Sequence, residues 1–422
     1  MSGIIPYESH VSTLDNGLKV IVMPMEGNGL VSYWSIVRTG ARDEVEEGRS
    51  GFAHFFEHMM FRGTEKYPAD RYGELLTAIG ADGNAYTTDD LTAYHLSIAA
   101  EDLEQLMELE SDRFRNLSYA EADFETEAGA VYGEYRKNRT DPLYTLYEAM
   151  TATAFQTHPY GHMVIGYEED IAAMPTLYDY SRTFFSRYYR PDNIILFIVG
   201  DVDADAVMPL VEEYYGDWVA GYVAPEIPTE PPQLAERRVE VSYDGRTLPY
   251  VWLAYKFDEF DPADSRRAAA DLLVELAFGS TSELYQKLVI DEQVVESLNA
   301  NTNVNRDPSL LDIYARIKDP GRVEHVIEAI DSTIAKFQAI SPDENRVAGL
   351  KSRLKYEFLM GLQTPASTAR RLARYVAVTG GLEDVDTLYR TYGSVAPEDV
   401  LQAARHYLNP QRRTVAILRE QQ

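Results

Sequence analysis

The sequence of 422 residues contains no cysteine, and this absence excludes several kinds of chemistry at once. Without thiols the chain can form no disulfide and cannot use a cysteine nucleophile. Any metal site must therefore be built from histidine and carboxylate side chains. Histidine is itself scarce, with 8 residues in the whole chain, so two histidines at close spacing are an informative pattern.

Basic residues and long apolar runs are also few. The chain has 39 Lys and Arg against 68 Asp and Glu, a formal net charge of −29, which argues against nucleic acid or an anionic membrane as a partner. The longest apolar runs, such as residues 194–199, have the length of a strand, so we expect no membrane span. The N-terminus shows no secretory signal, which predicts a cytoplasmic protein, or a periplasmic one if a signal has been removed.

Two of the eight histidines flank a glutamate in the segment His54-Phe55-Phe56-Glu57-His58. Side chains four residues apart on a helix lie one turn apart on the same face, so His54 and His58 can bind one metal ion. Glu57 can then act as the general base on a metal-activated water. The order His-x-x-Glu-His is the inverse of the commoner His-Glu-x-x-His motif. The alternative is a buried helix whose histidines bond to backbone carbonyls.

The flanking residues predict that this helix is buried. Ser50 is a candidate N-cap, and Gly63 is a candidate stop at the C-terminal end. The apolar residues between them are Phe52, Ala53, Phe55, Phe56, Met59, Met60 and Phe61. Burying a polar group without a partner costs roughly 2–7 kcal/mol, so the histidines and the glutamate of this helix require partners.

A catalytic zinc usually has three protein ligands, and the third should come from another element. Residues 120–138 read as a helix in which Glu127 and Glu134 are seven residues apart, close to two turns at about 3.6 residues per turn. The stretch between them is small and apolar. Such a face suits one metal ligand and one carboxylate that supports a ligand. The alternative is a solvated acidic face, and spacing alone does not decide between them.

Residues 51–64 resemble the zinc site of the pitrilysin/insulinase family of metallopeptidases, the inverzincins, which includes the mitochondrial processing peptidase. In that family the third ligand is a glutamate 76 residues after the second histidine, the position of Glu134 here. The family's supporting glutamate corresponds to Glu127. The resemblance implies one Zn²⁺ per chain bound by His54, His58 and Glu134. It also implies endopeptidase activity, with Glu57 and Glu127 as catalytic residues.

The same resemblance extends to a substrate-binding edge. Residues 80–94 are similar to the family's strand on which an extended peptide lies, and this implies that Asn84 and Ala85 contact the substrate backbone. Phe61 matches an aromatic residue near the pocket for the side chain that follows the cleaved bond. The implied substrate is therefore a peptide or an unfolded segment that is bound as an added strand.

The pattern of predicted elements indicates two related halves. Strand pairs and helices recur without regular βαβ alternation, which favours an α+β fold, and residues 13–38 alternate as half-buried strands do. We expect a zinc-binding domain at 1–218, a proline-rich linker at 219–236 and a homologous domain without metal at 237–422. The segments 187–199 and 405–417 share the order helix end, proline and strand. The resemblance implies two mainly antiparallel sheets, each covered by helices, that face each other across a cleft.

The second half departs from the family at two positions. Many relatives present an arginine and a tyrosine there to hold the substrate and the tetrahedral intermediate, but this chain has Glu283 and Glu296. A carboxylate cannot donate a hydrogen bond to an oxyanion at neutral pH. We therefore expect a homologous partner subunit that supplies the arginine and the tyrosine.

Two alternatives remain open at this point. One is a non-catalytic scaffold or assembly subunit of the same family, which the full set of site residues disfavours. The other is a metal-dependent hydrolase of substrates that are not peptides, against which only the resemblance of the substrate edge argues.

Overall fold

The structure is a computed structural model that describes residues 3–421. The expectation about a secretory signal falls in part on residues 1 and 2, which lie outside the described residues. The chain forms two compact units, and unit 1 comprises Met1–Tyr135, His162–Pro228 and Leu359–Leu382. Unit 2 comprises Arg136–Gly161, Thr229–Phe358 and Glu383–Gln422. The predicted boundaries divide the chain into contiguous halves, whereas each compact unit also contains a segment from the other half.

The strands form one sheet in each unit. They are β1 (His10–Thr13), β2 (Lys19–Pro24), β3 (Leu30–Val37), β4 (Asp82–Thr87), β5 (Thr92–Ala99), β6 (Ile194–Gly200), β7 (Arg237–Tyr243), β8 (Tyr250–Phe257), β9 (Val295–Thr302), β10 (Ser309–Ile317) and β11 (Arg413–Glu420). The order is β1-β2-β6-β3-β5-β4 in unit 1 and β7-β11-β8-β10-β9 in unit 2. Without β1, the two orders are equivalent strand for strand. In each sheet one pair is parallel, β2 with β6 and β7 with β11, and the other pairs are antiparallel.

The α-helices pack on these sheets. They are α1 (Phe52–Met59), α2 (Ala69–Ala78), α3 (Leu103–Asn116), α4 (Glu121–Asn138), α5 (Pro142–Ala154), α6 (Glu168–Ala173), α7 (Tyr178–Tyr188), α8 (Ala204–Tyr215), α9 (Ser265–Phe278), α10 (Glu283–Tyr285), α11 (Val323–Ala339), α12 (Glu344–Met360), α13 (Pro365–Thr379), α14 (Glu383–Ser394) and α15 (Pro397–Tyr407). The predicted α+β class, with two related domains of mainly antiparallel sheet covered by helices, is confirmed. In the described part of the chain, no helix combines the length and the apolar character that a membrane crossing requires.

The prediction that the first strands are half-buried is wrong. The interior residues of β2 and nearly all of β3 are buried irrespective of which face they point to. The reason is that helices cover both faces of the sheet. On one face the hydroxyl of Tyr94 in β5 donates a hydrogen bond to the carbonyl of Phe56 in α1. On the other face α13, which comes from the second half of the sequence, packs on β3 and β6.

The two halves end in the same way, as the segments 187–199 and 405–417 predicted. In unit 1, α7 is followed by a short 3₁₀ turn at Pro191–Asn193 and then by β6. In unit 2, α15 is followed by a 3₁₀ turn at Pro410–Arg412 and then by β11. Both strands lie at the second position of the shared strand order, which is the arrangement expected of duplicated domains.

Candidate metal centre and active site

Helix α1, which carries the histidine motif, begins differently from the prediction. Its N-cap is Gly51, with φ of 90°, and not Ser50. The hydroxyl of Ser50 instead donates to Asp170 at 2.6 Å. The first amides of the helix are satisfied by the buried carboxylate of Glu44, which accepts hydrogen bonds from Gly51 N at 2.7 Å and Ala53 N at 2.6 Å. A carboxylate at this end also interacts favourably with the helix dipole.

The other end of this helical segment follows the prediction. A short 3₁₀ turn, Met60–Arg62, continues α1 and ends at Gly63, whose φ is 84°. A Cβ at this position would lie 2.5 Å from the carbonyl oxygen of Tyr67. The turn therefore requires glycine both for its left-handed backbone and for this close approach.

Helices α1 and α4 bring together the three predicted metal ligands. The Nε2 atoms of His54 and His58 lie 3.8 and 3.5 Å from Oε2 of Glu134. The three donor atoms are all within 4.8 Å of one another, and across residues 3–421 no other group of three or more His, Asp or Glu side chains converges in this way. Two imidazole nitrogens and one carboxylate oxygen, with no thiolate, form a donor set that suits zinc.

The second predicted glutamate of α4 contacts one of these histidines. Nδ1 of His58 donates a hydrogen bond to Oε1 of Glu127 at 2.8 Å. This bond leaves Nε2 as the ring nitrogen that faces the other two donors. Nε of Arg62 donates to Oε2 of the same carboxylate at 2.7 Å. Glu127 is buried, and its hydrogen bond is the largest cause that raises the pKa of His58 to about 9.

Glu57 lies in the same cavity as His58, and its carboxyl group is largely buried. Burial raises the pKa of its carboxyl group above the ordinary value. The hydroxyl of Thr87, at the end of β4, donates to its Oε2 at 2.6 Å and acts in the opposite direction on the pKa. Burial also lowers the pKa of His54, to about 4, so this imidazole is neutral at pH 7. A neutral imidazole is the form that binds a metal.

A cavity of about 390 Å³ connects this group with the predicted substrate residues. Its lining residues are Glu57, His58, Phe61, Arg62, Asn84, Ala85 and Glu127. Strand β4, which carries Asn84 and Ala85, is the last strand of its sheet. Oδ1 of Asn84 accepts a hydrogen bond from the backbone amide of Ala85 at 2.9 Å. The last strand of a sheet is a surface on which an extended peptide can pair.

Glu283 and Glu296, the positions where the resemblance implies an arginine and a tyrosine, have basic partners within unit 2. Glu283 forms an ion pair with Lys336 at 2.6 Å and is 3.8 Å from Arg346. Glu296 forms an ion pair with Arg316 at 2.8 Å. Both carboxylates are thus engaged in ion pairs, and an ionised carboxylate is not a hydrogen-bond donor.

Sequence reasoning missed three residues that shape this site: Glu44, Arg62 and Thr87. Arg62 follows His58 by four residues, and this spacing places it on the same helical face, so it could have been found. Thr87 and Glu44 carry no such signal. Their contacts depend on how β4 and the loop before α1 pack against that helix.

The fold and the site define a protein of two α+β units. One unit carries an inverted His-x-x-Glu-His motif beside β4, the edge strand of its sheet. Two family descriptions match the chain, "Insulinase (Peptidase family M16)" over residues 21–168 and "Peptidase M16 inactive domain" over residues 177–354. The chain therefore belongs to the M16 (pitrilysin/insulinase) peptidase family. The motif and both α4 glutamates lie within the first match.

Known proteins are similar over nearly the whole chain. The zinc protease PqqE of Helicobacter pylori is 28% identical over 415 residues, which cover 96% of this chain and 92% of the relative. An uncharacterized zinc protease of Mycobacterium leprae is 28% identical over 412 residues, 94% of this chain and 89% of the relative. A crystal structure of a protease from Helicobacter pylori has a TM-score of 0.91 at 27% identity, covering 98% of this chain and 99% of that one.

Proposed function

We propose that this chain is a zinc-dependent endopeptidase that cleaves peptides or unfolded segments. The observation that carries the proposal is the convergence of His54, His58 and Glu134 next to the held carboxylate of Glu57. The three donor atoms lie within 4.8 Å of one another, so one divalent cation can bind all of them at once. The names of the relatives and the family membership support the same function.

One Zn²⁺ per chain would be held by His54, His58 and Glu134, which leaves a coordination position for water or substrate. When bound, zinc supplies polarisation of the scissile carbonyl and of a water molecule. Glu127 orients His58 through the bond to Nδ1, and Arg62 in turn holds Glu127. Glu127 is thus a positioning residue in this mechanism, because it acts through a ligand.

The proton transfers belong to Glu57. Its burial makes the carboxylate a stronger base than an exposed one, and Thr87 fixes one of its oxygens. Glu57 takes a proton from the attacking water and then delivers it to the amine that leaves. Its position in the same cavity as His58 puts it near the proposed metal position.

The substrate would lie as an added strand along β4. Backbone pairing gives affinity for any extended segment, and side-chain pockets give preference. Asn84 and Ala85 are the proposed backbone contacts, and the Asn84 side chain that now caps the Ala85 amide would yield to a substrate carbonyl. Phe61 would form a wall of the pocket for the residue after the cleaved bond.

A second, homologous chain completes the site in this proposal. Glu283 and Glu296 occupy the positions where an arginine and a tyrosine would donate to the oxyanion, and both are engaged in ion pairs. Loss of one oxyanion donor typically costs 10²–10³-fold in rate. The partner would therefore be a family member that carries the arginine and the tyrosine and leaves the metal to this chain.

The test compares wild-type protein, Glu57→Gln and the control Glu125→Gln, which changes an exposed residue of α4. We measure bound zinc by elemental analysis and cleavage of an unfolded protein, with the chain alone and with homologous chains from the same genome. We expect zinc in all three proteins, and cleavage by wild type and Glu125→Gln with the partner present.

Four outcomes would contradict parts of the proposal. Absence of bound zinc in the wild-type protein would contradict the metal site and favour a non-catalytic scaffold subunit. Turnover retained by Glu57→Gln would refute the base assignment. Full activity of the chain alone would refute the need for a partner. Zinc binding with hydrolysis of only non-peptide substrates would show that the substrate is not a peptide.

A further inference from the structure

Behind the wall of the active-site cavity lies a buried arginine that the proposed mechanism does not use. Arg113, on α3, is 2% exposed, and it forms an ion pair with Glu110, which is completely buried. Its guanidinium carbon lies between 5.0 and 5.4 Å from the centroids of four aromatic rings: Phe61, Tyr72, Tyr94 and Phe114. Two of its nitrogens, Nε and Nη1, have no hydrogen-bond partner among the described residues.

A buried guanidinium usually satisfies its five N–H groups with oxygen acceptors. Here the faces of aromatic rings take the place of those acceptors, since a cation is attracted to the ring quadrupole and the attraction is stronger where water is excluded. The single carboxylate in contact, Glu110, also accepts a hydrogen bond from Tyr72 at 2.6 Å. We call Arg113, Glu110 and the four rings the arginine cage. Its two charges cancel, and the guanidinium nitrogens that have no hydrogen-bond partner are left to interact with the ring faces.

One of the four rings differs from the others because it reaches the cavity. Phe61 is 41% exposed and lines the same cavity as Glu57, whereas Tyr72, Tyr94 and Phe114 are each no more than 4% exposed. Within residues 3–421, the ring of Phe61 has one aromatic neighbour, Tyr94, at 6.3 Å between centroids. Because so much of the Phe61 ring is exposed, we expect its contact with the Arg113 guanidinium to contribute strongly to its position.

The arginine cage also contacts the helix that carries the metal motif. The hydroxyl of Tyr94 donates to the carbonyl of Phe56 at 3.0 Å and shares a second hydrogen bond of 2.7 Å with Tyr189. The same tyrosine lies under the guanidinium at 5.0 Å. Arg113 thus contacts both the exposed ring of Phe61 in the cavity wall and a tyrosine that is hydrogen-bonded to α1.

We propose that Arg113 is a positioning residue for the pocket that receives the side chain after the cleaved bond. Its guanidinium holds the Phe61 ring against Tyr94, which keeps the pocket open and sets its shape. Without this contact the ring would rotate into the cavity and reduce the space for a large side chain. The inference rests on the proposed peptidase function and adds to it the residue that determines this preference.

The main variant is Glu110→Gln with Arg113→Met, which removes both charges and keeps an acceptor for Tyr72. Its matched control is Arg115→Met, which removes an arginine from the same helix that pairs with Asp217. We determine crystal structures of both and measure kcat/KM for two peptides that differ only in Phe or Ala after the cleaved bond. We expect the Phe61 ring to leave its position in the main variant alone, and the Phe-to-Ala ratio to fall by about tenfold.

The two readouts separate this inference from the proposed function. An unchanged Phe61 ring overturns the inference whether or not the protein cleaves peptides, because ring position does not depend on turnover. A displaced ring with an unchanged Phe-to-Ala ratio overturns the role in preference. Absence of zinc and turnover in wild type counts against the proposed function, and ring position still decides the inference.

A second variant keeps the test valid if the double variant does not fold. Arg113→Lys retains the charge but replaces the planar guanidinium by a compact ammonium group. We expect a smaller change in the Phe-to-Ala ratio than for the double variant, and no change when Phe61→Leu is already present. An equal effect of Arg113→Lys with and without Phe61 would show that Arg113 does not act through this ring.

Discussion

Replacement of Glu127 by glutamine tests the outer layer of the proposed metal centre with the smallest possible change. The glutamine can still accept the hydrogen bond from Nδ1 of His58, which is now 2.8 Å long. What is lost is the negative charge that faces His58 and Arg62. Removal of such an outer partner typically lowers metal affinity 10–100-fold, which corresponds to roughly 1.4–2.8 kcal/mol.

The exposed fractions of His58 and Arg62 place the expected loss of Zn²⁺ affinity near the lower end of this range. The side chain of Glu127 is 9% exposed, but those of His58 and Arg62 are 27% and 38% exposed, so water screens part of the lost interaction. We therefore expect Zn²⁺ affinity to fall by about tenfold. Helix α4 itself should remain folded, because glutamine and glutamate have similar helix propensity.

The assay is competition for Zn²⁺ against a chromophoric chelator. All proteins are measured at one pH, because metal binding at Nε2 displaces a proton from the protonated form of His58, which Glu127 stabilises. Glu121→Gln, at an exposed position in the first turn of the same helix, is the control and should bind as wild type does. A dissociation constant for Glu127→Gln within about twofold of wild type would refute the role given to this carboxylate.

Three further predictions concern stability. Burial raises the pKa of Asp312 to about 6 from 3.8, so the folded state binds a proton that the unfolded state releases between those values. The contribution of Asp312 to the free energy of unfolding should fall by up to about 3 kcal/mol between pH 4 and 6. The stability of Asp312→Asn relative to wild type should rise by that amount over this range in urea titrations followed by tryptophan fluorescence. Gly51→Ala should lower the thermal midpoint, because the added Cβ would lie 2.3 Å from a backbone oxygen and the backbone φ is 90°. Gly129→Ala should raise the thermal midpoint, because the added Cβ would meet open space in α4. Added Zn²⁺ should raise the thermal midpoint of wild type but not of Glu134→Ala, and an equal shift in both would exclude that ligand.

Much of the candidate site follows from local rules. The spacing of His54, Glu57 and His58 places them on one turn of α1 without any knowledge of the fold, and the spacing of Glu127 and Glu134 does the same for α4. Which of the two glutamates lies beside the Nε2 atoms of both histidines is not a local property. The resemblance to the family assigned Glu134 as a ligand, and the distances of 3.5 and 3.8 Å are consistent with that proposal.

The errors of the sequence reasoning have a common origin in distant packing. Ser50 is a good N-cap by type, but Glu44 satisfies the helix amides and leaves Ser50 to Asp170. The strands of residues 13–38 alternate in sequence, yet they are buried because α13 arrives from a segment more than 300 residues later. Asp170 and α13 are far away in sequence, and no local pattern reports their presence. Glu44 is only seven residues before Gly51, but its contact depends on the path of the loop before α1.

By itself the sequence determined which chemistry is available. The absence of cysteine, the inverted histidine motif and the two glutamates of α4 define a candidate metal site of histidine and carboxylate side chains, because helical periodicity converts spacing directly into a shared face. Only the tertiary structure decided how that site is completed. It placed Thr87 on Glu57, Arg62 on Glu127 and a caged Arg113 behind Phe61, since these contacts depend on the packing of separate elements against α1.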